Sequence, residues 1–183
     1  MPGEKGFGRC LLTWVAILCL GILWVGAGVD PFSKVDIKPV RDKKTAPNIT
    51  LEYLKGGKVE LKNVIKGKVV FLNFWATWCG PCKEEMPSME ALYKQFNDRN
   101  FIFLAISVDY EGLKPVKAFI EKSHYTFPVL LDPKCDTLDL FAVTRIPTTF
   151  IIDKEGRILG RAIGPRNWKS PEIESILNQL IGK

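Results

Sequence analysis

Two cysteines three positions apart, Cys79 and Cys82, lie in the run Phe74-Trp75-Ala76-Thr77-Trp78-Cys79-Gly80-Pro81-Cys82 and carry the most specific chemistry in the chain. Such a pair can close a static disulfide, supply half of a zinc site, or exchange electrons with another disulfide. Its surroundings separate these readings. Before it runs Val69 to Phe74, nearly all apolar, the pattern of a strand buried on both faces. After it come Met86, Met89, Leu92, Tyr93 and Phe96, spaced three and four apart as on one stripe of a helix. A cysteine opening a helix meets unpaired backbone amides and the positive end of the helix dipole, both of which stabilise thiolate. Cys79 is therefore the expected nucleophile. Cys82, one turn further on, is the expected resolving thiol, and redox exchange is favoured over a static bridge or a metal site.

The other chemistry-bearing residues do not extend the pair into a larger cluster. The remaining cysteines are Cys10, Cys19 and Cys135, too few and too unevenly spaced for a disulfide framework. The one histidine, His124, and Cys135 show no zinc-type spacing to the pair, so no metal is expected, and no bound cofactor either. His124 reads as a surface residue ending a helix. Cys135, on a loop after Asp132-Pro133, reads either as an alternative resolving thiol or as an idle one. The chain has 183 residues, 46% of them apolar and 25% charged, with a net charge of +6. That composition suits one globular domain plus a short extra segment and excludes disordered, fibrous and polytopic membrane classes. No basic stripe interleaved with aromatics appears, which argues against nucleic acid as a partner.

The extra segment is N-terminal. Leu11 to Val29 gives 19 consecutive uncharged positions after Lys5 and Arg9, long enough to cross a bilayer as a helix. A cleavable signal peptide is the alternative, since Val25-Gly26-Ala27 offers small residues for cleavage. Either outcome exports the domain, and retention as an anchor is favoured. The expected organisation is a signal-anchor over 1–29, a tether over 30–45 and a folded domain over 46–183. The tether carries Pro31, Pro39 and many charges and is expected to be extended.

Within the domain the pattern predicts a hairpin, with strands Ile49 to Leu54 and Lys58 to Leu61 about a turn at Gly56-Gly57. The strand before the cysteines and the helix after them follow. Then come a strand Phe101 to Val108, a helix Leu113 to Ser123, a strand Pro128 to Leu131 and a short helix Asp136 to Phe141. A second hairpin, Thr148 to Ile152 and Arg157 to Ile163, precedes a final helix opened by Ser170 with Glu172 and Glu174 and running to Leu180. The predicted class is α/β: a central mixed sheet flanked by helices, with an N-terminal β-hairpin extension and one N-terminal transmembrane helix.

The run Phe74 to Cys82, together with Ile146-Pro147-Thr148-Thr149-Phe150 and the lead-in from Ala46-Pro47 to Gly67-Lys68, resembles the thioredoxin superfamily. Within it the chain is most similar to the ResA and TlpA branch of membrane-anchored thioredoxin-like proteins, over residues 46 to about 180. The resemblance implies a thioredoxin fold and a cis bond before Pro147, which leaves a neighbouring backbone edge free for an extended client. Ile146 and Thr148 beside that proline, and Trp78, Gly80 and Pro81 at the motif, are then the client-contacting residues. Trp75 is either part of that apolar rim or plain core. Where cytoplasmic thioredoxins carry a buried acid, this chain has Asn73. The resemblance offers Glu85, one turn after Cys82, as proton acceptor for the resolving thiol, and leaves Glu84 on a solvated face.

Gly80-Pro81 resembles the dipeptide of reducing relatives. The resulting expectation is an extracytoplasmic, membrane-held disulfide reductase acting on exported proteins, with apocytochrome c as a client by resemblance and a membrane thiol donor restoring the dithiol. Two other classes stand beside it. A thiol peroxidase would want a PxxxTxxC arrangement, and the residue four before Thr77 is Asn73, not proline. A non-enzymatic redox sensor or scaffold would keep the cysteines but exchange slowly.

Overall fold

The computed structural model describes residues 31–42 and 44–182. The apolar run Leu11 to Val29 lies outside them. Among the described residues no helix is long and apolar enough to cross a membrane.

Eight strands form one mixed sheet in the order β1-β8-β7-β4-β5-β6-β2-β3. Its centre is β4 (Val69–Trp75), every residue of which is buried. That strand pairs in parallel with β5 (Phe101–Ser107) and antiparallel with β7 (Thr148–Ile152). Flanking them are β6 (Val129–Leu131), parallel to β5, and β8 (Ile158–Ile163), antiparallel to β7. The apolar run reads as it does because both faces of β4 are covered. On one face Phe71 stacks on Phe103 and meets Trp168 edge-on, and Asn73 meets the helix that follows the cysteines. On the other, Phe74 packs on Phe141 and Phe150.

The entry hairpin forms as expected, β2 (Thr50–Tyr53) with β3 (Lys58–Glu60), and it joins the sheet because β2 also pairs with β6. Gly56 and Gly57 take φ of 97° and 88°, which side-chain-bearing residues rarely adopt, so this dipeptide can make the turn. The expected strand over Lys58 to Leu61 ends one residue early, where a four-residue helix, α1 (Leu61–Val64), begins. Its Leu61 is buried. Four further helices lie close to the expected spans: α2 (Gly80–Phe96), α3 (Leu113–Ser123), α4 (Asp136–Leu140) and α5 (Pro171–Gly182). In α2 the stripe Met86, Met89, Leu92 and Phe96 is fully buried, with Tyr93 at its edge. His124 is exposed and caps the C-terminus of α3 in a left-handed conformation.

The segment read as an extended tether departs from that expectation. Pro31–Lys34 forms a 3-10 turn, and β1 (Lys38–Pro39) pairs antiparallel with β8 through Lys38↔Arg161 and Pro39↔Gly160. Phe32 and Ile37 are buried, at 5% and 3% exposure. The physical reason is local: Phe32 and Ile37, with Val35 and Val40 half-buried beside them, find the uncovered edge of β8 from within a charged stretch, and a sheet edge is a ready template for one more strand. This strap, residues 31–39, also touches α5.

Candidate active site

The end of β4 and the start of α2 place the cysteine pair. Cys79 is the N-cap of α2, in extended conformation, and its Sγ accepts a hydrogen bond from the Cys82 backbone N–H at 3.2 Å. An amide aimed at sulfur from the first turn of a 17-residue helix is the arrangement that stabilises a thiolate there. Cys79 and Cys82 are joined by a disulfide, so the structure shows the oxidised form. Of the two, Cys79 keeps 6% exposure and Cys82 none. Gly80 and Pro81 are exposed at the helix tip.

The turn leading into the pair is held from β5's far end. Asp109, 3% exposed, accepts from the Thr77 backbone N–H at 3.0 Å, from the Thr77 hydroxyl and from the Ser107 hydroxyl at 2.7 Å. Nothing in the sequence spacing marks Asp109; the register that sets Trp75 beside Ser107 brings it here. Replacing it with alanine strips the acceptor from three buried or half-buried donors at once. Asp109→Ala is expected to lower the unfolding free energy by about 2–4 kcal/mol, read from the denaturant midpoint of the oxidised protein.

Glu85 lies on the buried side of α2, at 2% exposure, while Glu84 is exposed. Three donors converge on its carboxylate: Asn73 Nδ2 on Oε1 at 2.9 Å, Trp168 Nε1 on Oε2 at 2.9 Å and the Arg166 backbone N–H on Oε2 at 3.3 Å. Burial outweighs them. The carboxyl is pushed up to about 7, with the three hydrogen bonds and the Arg166 charge pulling the other way. A carboxyl near neutrality can both take and give a proton at physiological pH. Asn73, in the place where a thioredoxin-type acid would stand, donates to Glu85 and, through the same nitrogen, to Thr149 Oγ1 at 2.9 Å. Sequence reasoning missed Trp168 and Arg166, which come from the loop after β8.

A groove of about 360 Å³ beside the motif is lined by Trp78, Tyr110, Cys135, Leu138, Val143 and Ile146, among others. Trp78 is 61% and Tyr110 76% exposed. Trp75, by contrast, is fully buried and packs on Phe119, so it is core and not rim. The Ile146-Pro147 bond is cis. Ile146 is half-buried, Pro147 buried, and Thr148 has no exposed surface; its hydroxyl donates to the Arg145 carbonyl at 2.7 Å. The structure therefore groups Trp78 and Ile146 on one groove and leaves Thr148 without a surface to offer a client. Cys135 is half-buried in the groove wall, and burial, reinforced by the Asp132 charge, pushes its thiol up, which disfavours the thiolate. Among the described residues no group of three or more metal-ligating side chains is assembled.

This fold and this motif together define a thiol-disulfide oxidoreductase with a thioredoxin-like domain. The chain belongs to the AhpC/TSA family, whose model matches residues 43–160. It is 38% identical over 137 residues to the thiol-disulfide oxidoreductase ResA of Bacillus cereus, covering 75% of this chain and 77% of that one. It is 36% identical over 168 residues to the thioredoxin-like protein YneN of Bacillus subtilis, covering 88% and 96%. Among solved structures, a Chlorobium tepidum chain assigned as the thiol:disulfide interchange protein DsbE superposes with a TM-score of 0.70 at 31% identity, covering 76% of this chain and 97% of that one.

Proposed function

We propose that the protein is an extracytoplasmic disulfide reductase, held at the membrane by the segment 1–29, that reduces disulfides in exported proteins, apocytochrome c among them. The observation that carries the reading is the buried Glu85 carboxyl, titrating near neutrality one helical turn after the fully buried Cys82. In the reduced enzyme the Cys79 thiolate attacks one sulfur of a client disulfide, forming a Cys79–client mixed disulfide and releasing the other client sulfur as thiolate. Cys82 then gives its proton to Glu85. The Cys82 thiolate attacks Cys79 Sγ, the Cys79–Cys82 disulfide forms, and the second client sulfur leaves. The client gains two electrons and the enzyme loses them. A membrane thiol donor restores the dithiol by the same exchange in reverse. Trp78, Gly80, Pro81 and Ile146 form the client-contacting surface, with Pro147 behind them.

The reducing direction is supported by Gly80-Pro81, which places no histidine beside the thiolate. The export assignment is supported by the uncharged stretch Leu11 to Val29. The test is to equilibrate the full-length protein, in detergent, against glutathione redox buffers and to follow insulin-disulfide reduction by its dithiol form. A reductant should poise below about −200 mV and reduce insulin; a value near −120 mV, that of a strong oxidant, would overturn the direction.

A further inference from the structure

The buried carboxyl at residue 85 is tied to the N-terminal strap through one side chain. Arg166, on the loop between β8 and α5, presents its backbone N–H to Glu85 Oε2 at 3.3 Å. Its guanidinium turns the opposite way. Nη1 donates to the carbonyls of Val35 and Asp36 at 3.0 and 2.9 Å, and Nη2 to those of Ile163 and Gly164 at 3.0 and 3.4 Å. The same guanidinium lies over the Trp168 ring, 5.3 Å from its centroid, and the indole N–H of that ring is Glu85's second donor. Ser88 closes the loop: its hydroxyl accepts from the Trp168 backbone N–H at 3.0 Å and donates to the Glu85 carbonyl at 2.6 Å. The strap fits tightly where Arg166 grips it, since a methyl added at Gly160 would stand 2.6 Å from Ile37 Cγ2.

We propose that Arg166 is a positioning residue for the disulfide-exchange reaction, clamping the strap 31–39 with its side chain while its backbone and the stacked Trp168 hold the Glu85 carboxylate. The inference rests on the reading of Glu85 as proton acceptor. The charges that bear on this carboxyl are few. Arg166 is the facing cation, Asp36 of the strap faces Arg166 in turn, and Glu84 of α2 is exposed on another face. From β4, β7 and the Trp168 loop the facing groups are the neutral Asn73, Thr149 and Trp168. Withdrawing the strap removes two of the four carbonyls that fix the guanidinium and so loosens the loop carrying both Arg166 N–H and Trp168. The state of the segment next to the membrane is thereby transmitted to the proton acceptor of the resolving thiol.

The experiment is the pH profile of single-turnover disulfide reduction by the reduced full-length protein in detergent. Glu85→Gln should abolish the inflection near neutrality. Arg166→Gln should keep the inflection and move its midpoint upward by roughly half to one pH unit, because a facing cation and two ordered donors are lost or loosened. Arg166→Lys, which keeps the charge but not the fork, should recover part of the shift. The strap variant Phe32→Ser/Ile37→Ser should shift the midpoint the same way and add nothing in an Arg166→Gln background. If Glu85→Gln leaves the profile unchanged, the proton-acceptor reading fails and this inference with it. If Glu85→Gln abolishes the inflection but Arg166→Gln or the strap variant leaves the midpoint in place, the coupling alone is overturned.

Discussion

Cys79→Ala should abolish disulfide reduction by the full-length protein, a loss on the order of 10³-fold or more that leaves only the background of the added reductant. The expectation follows from reach. Cys79 is the residue of the pair that retains any exposure, and it sits where Trp78, Gly80 and Pro81 form the surface; Cys82 has none. A client disulfide can therefore meet Cys79 and not Cys82. The complementary variant, Cys82→Ala, should still carry out the first attack and then stop, because nothing remains to displace the client from Cys79. A Cys79–client species, stable to denaturation and lost on reduction, should accumulate and be visible by mass. Among the described residues Cys135 is the thiol that could spoil this outcome, since it lines the same groove as Trp78. Its thiol is pushed up by burial and by Asp132, so it should resolve slowly, and the trapped species should be equally abundant in Cys82→Ala and in Cys82→Ala/Cys135→Ala. Full turnover by Cys82→Ala would sink the resolving role assigned to Cys82.

Much of the framework that presents these sulfurs is written in local pattern. β4 announces itself because a strand covered on both faces needs apolar residues at both parities, and α2 because its buried stripe recurs at three and four. The strap was hidden for the converse reason. Its burial depends on a few apolar side chains, chiefly Phe32 and Ile37 with Val35 beside them, set among prolines and charges, and on an edge of β8 that exists only in the assembled sheet. The four-residue α1 is too short to show a period. At the site, the cysteine pair and Glu85 lie within seven residues of each other on one helix, where spacing is informative. Trp168 and Arg166 reach Glu85 from 83 and 81 positions away, and Asp109 reaches Thr77 from 32. Contacts of that range are set by sheet register, which no local window contains. Trp75 and Trp78 show the limit most simply: three residues apart, one is core and the other rim, because β4 ends between them.

Glu85→Gln should separate the proton chemistry from the packing. In the folded protein the carboxyl titrates near 7, against 4.5 as its ordinary value. Between those values the folded chain retains a proton that the unfolded chain releases, so this group makes stability fall as pH rises through the window and level off above about 7. The full penalty above that point is about 3 kcal/mol, an order-of-magnitude figure from the width of the window. Glutamine carries no such penalty. The stability of Glu85→Gln relative to wild type should therefore improve by roughly that amount between pH 5 and pH 8, measured by denaturant unfolding of the oxidised forms. The amide can be accommodated. Its oxygen keeps the Trp168 and Arg166 donors, and its NH₂ group can face Asn73 if that side chain turns its oxygen inward. Asn73 Oδ1 is free to do so, having no hydrogen-bond partner among the described residues. Function should move oppositely to stability. Without a group to take the Cys82 proton, release of the mixed disulfide should slow by roughly 10²-fold at neutral pH, and its rate should lose the inflection near 7. A variant whose stability difference from wild type is flat from pH 5 to 8, and whose exchange keeps the wild-type profile, would show that Glu85 is a packed carboxyl with no part in proton transfer.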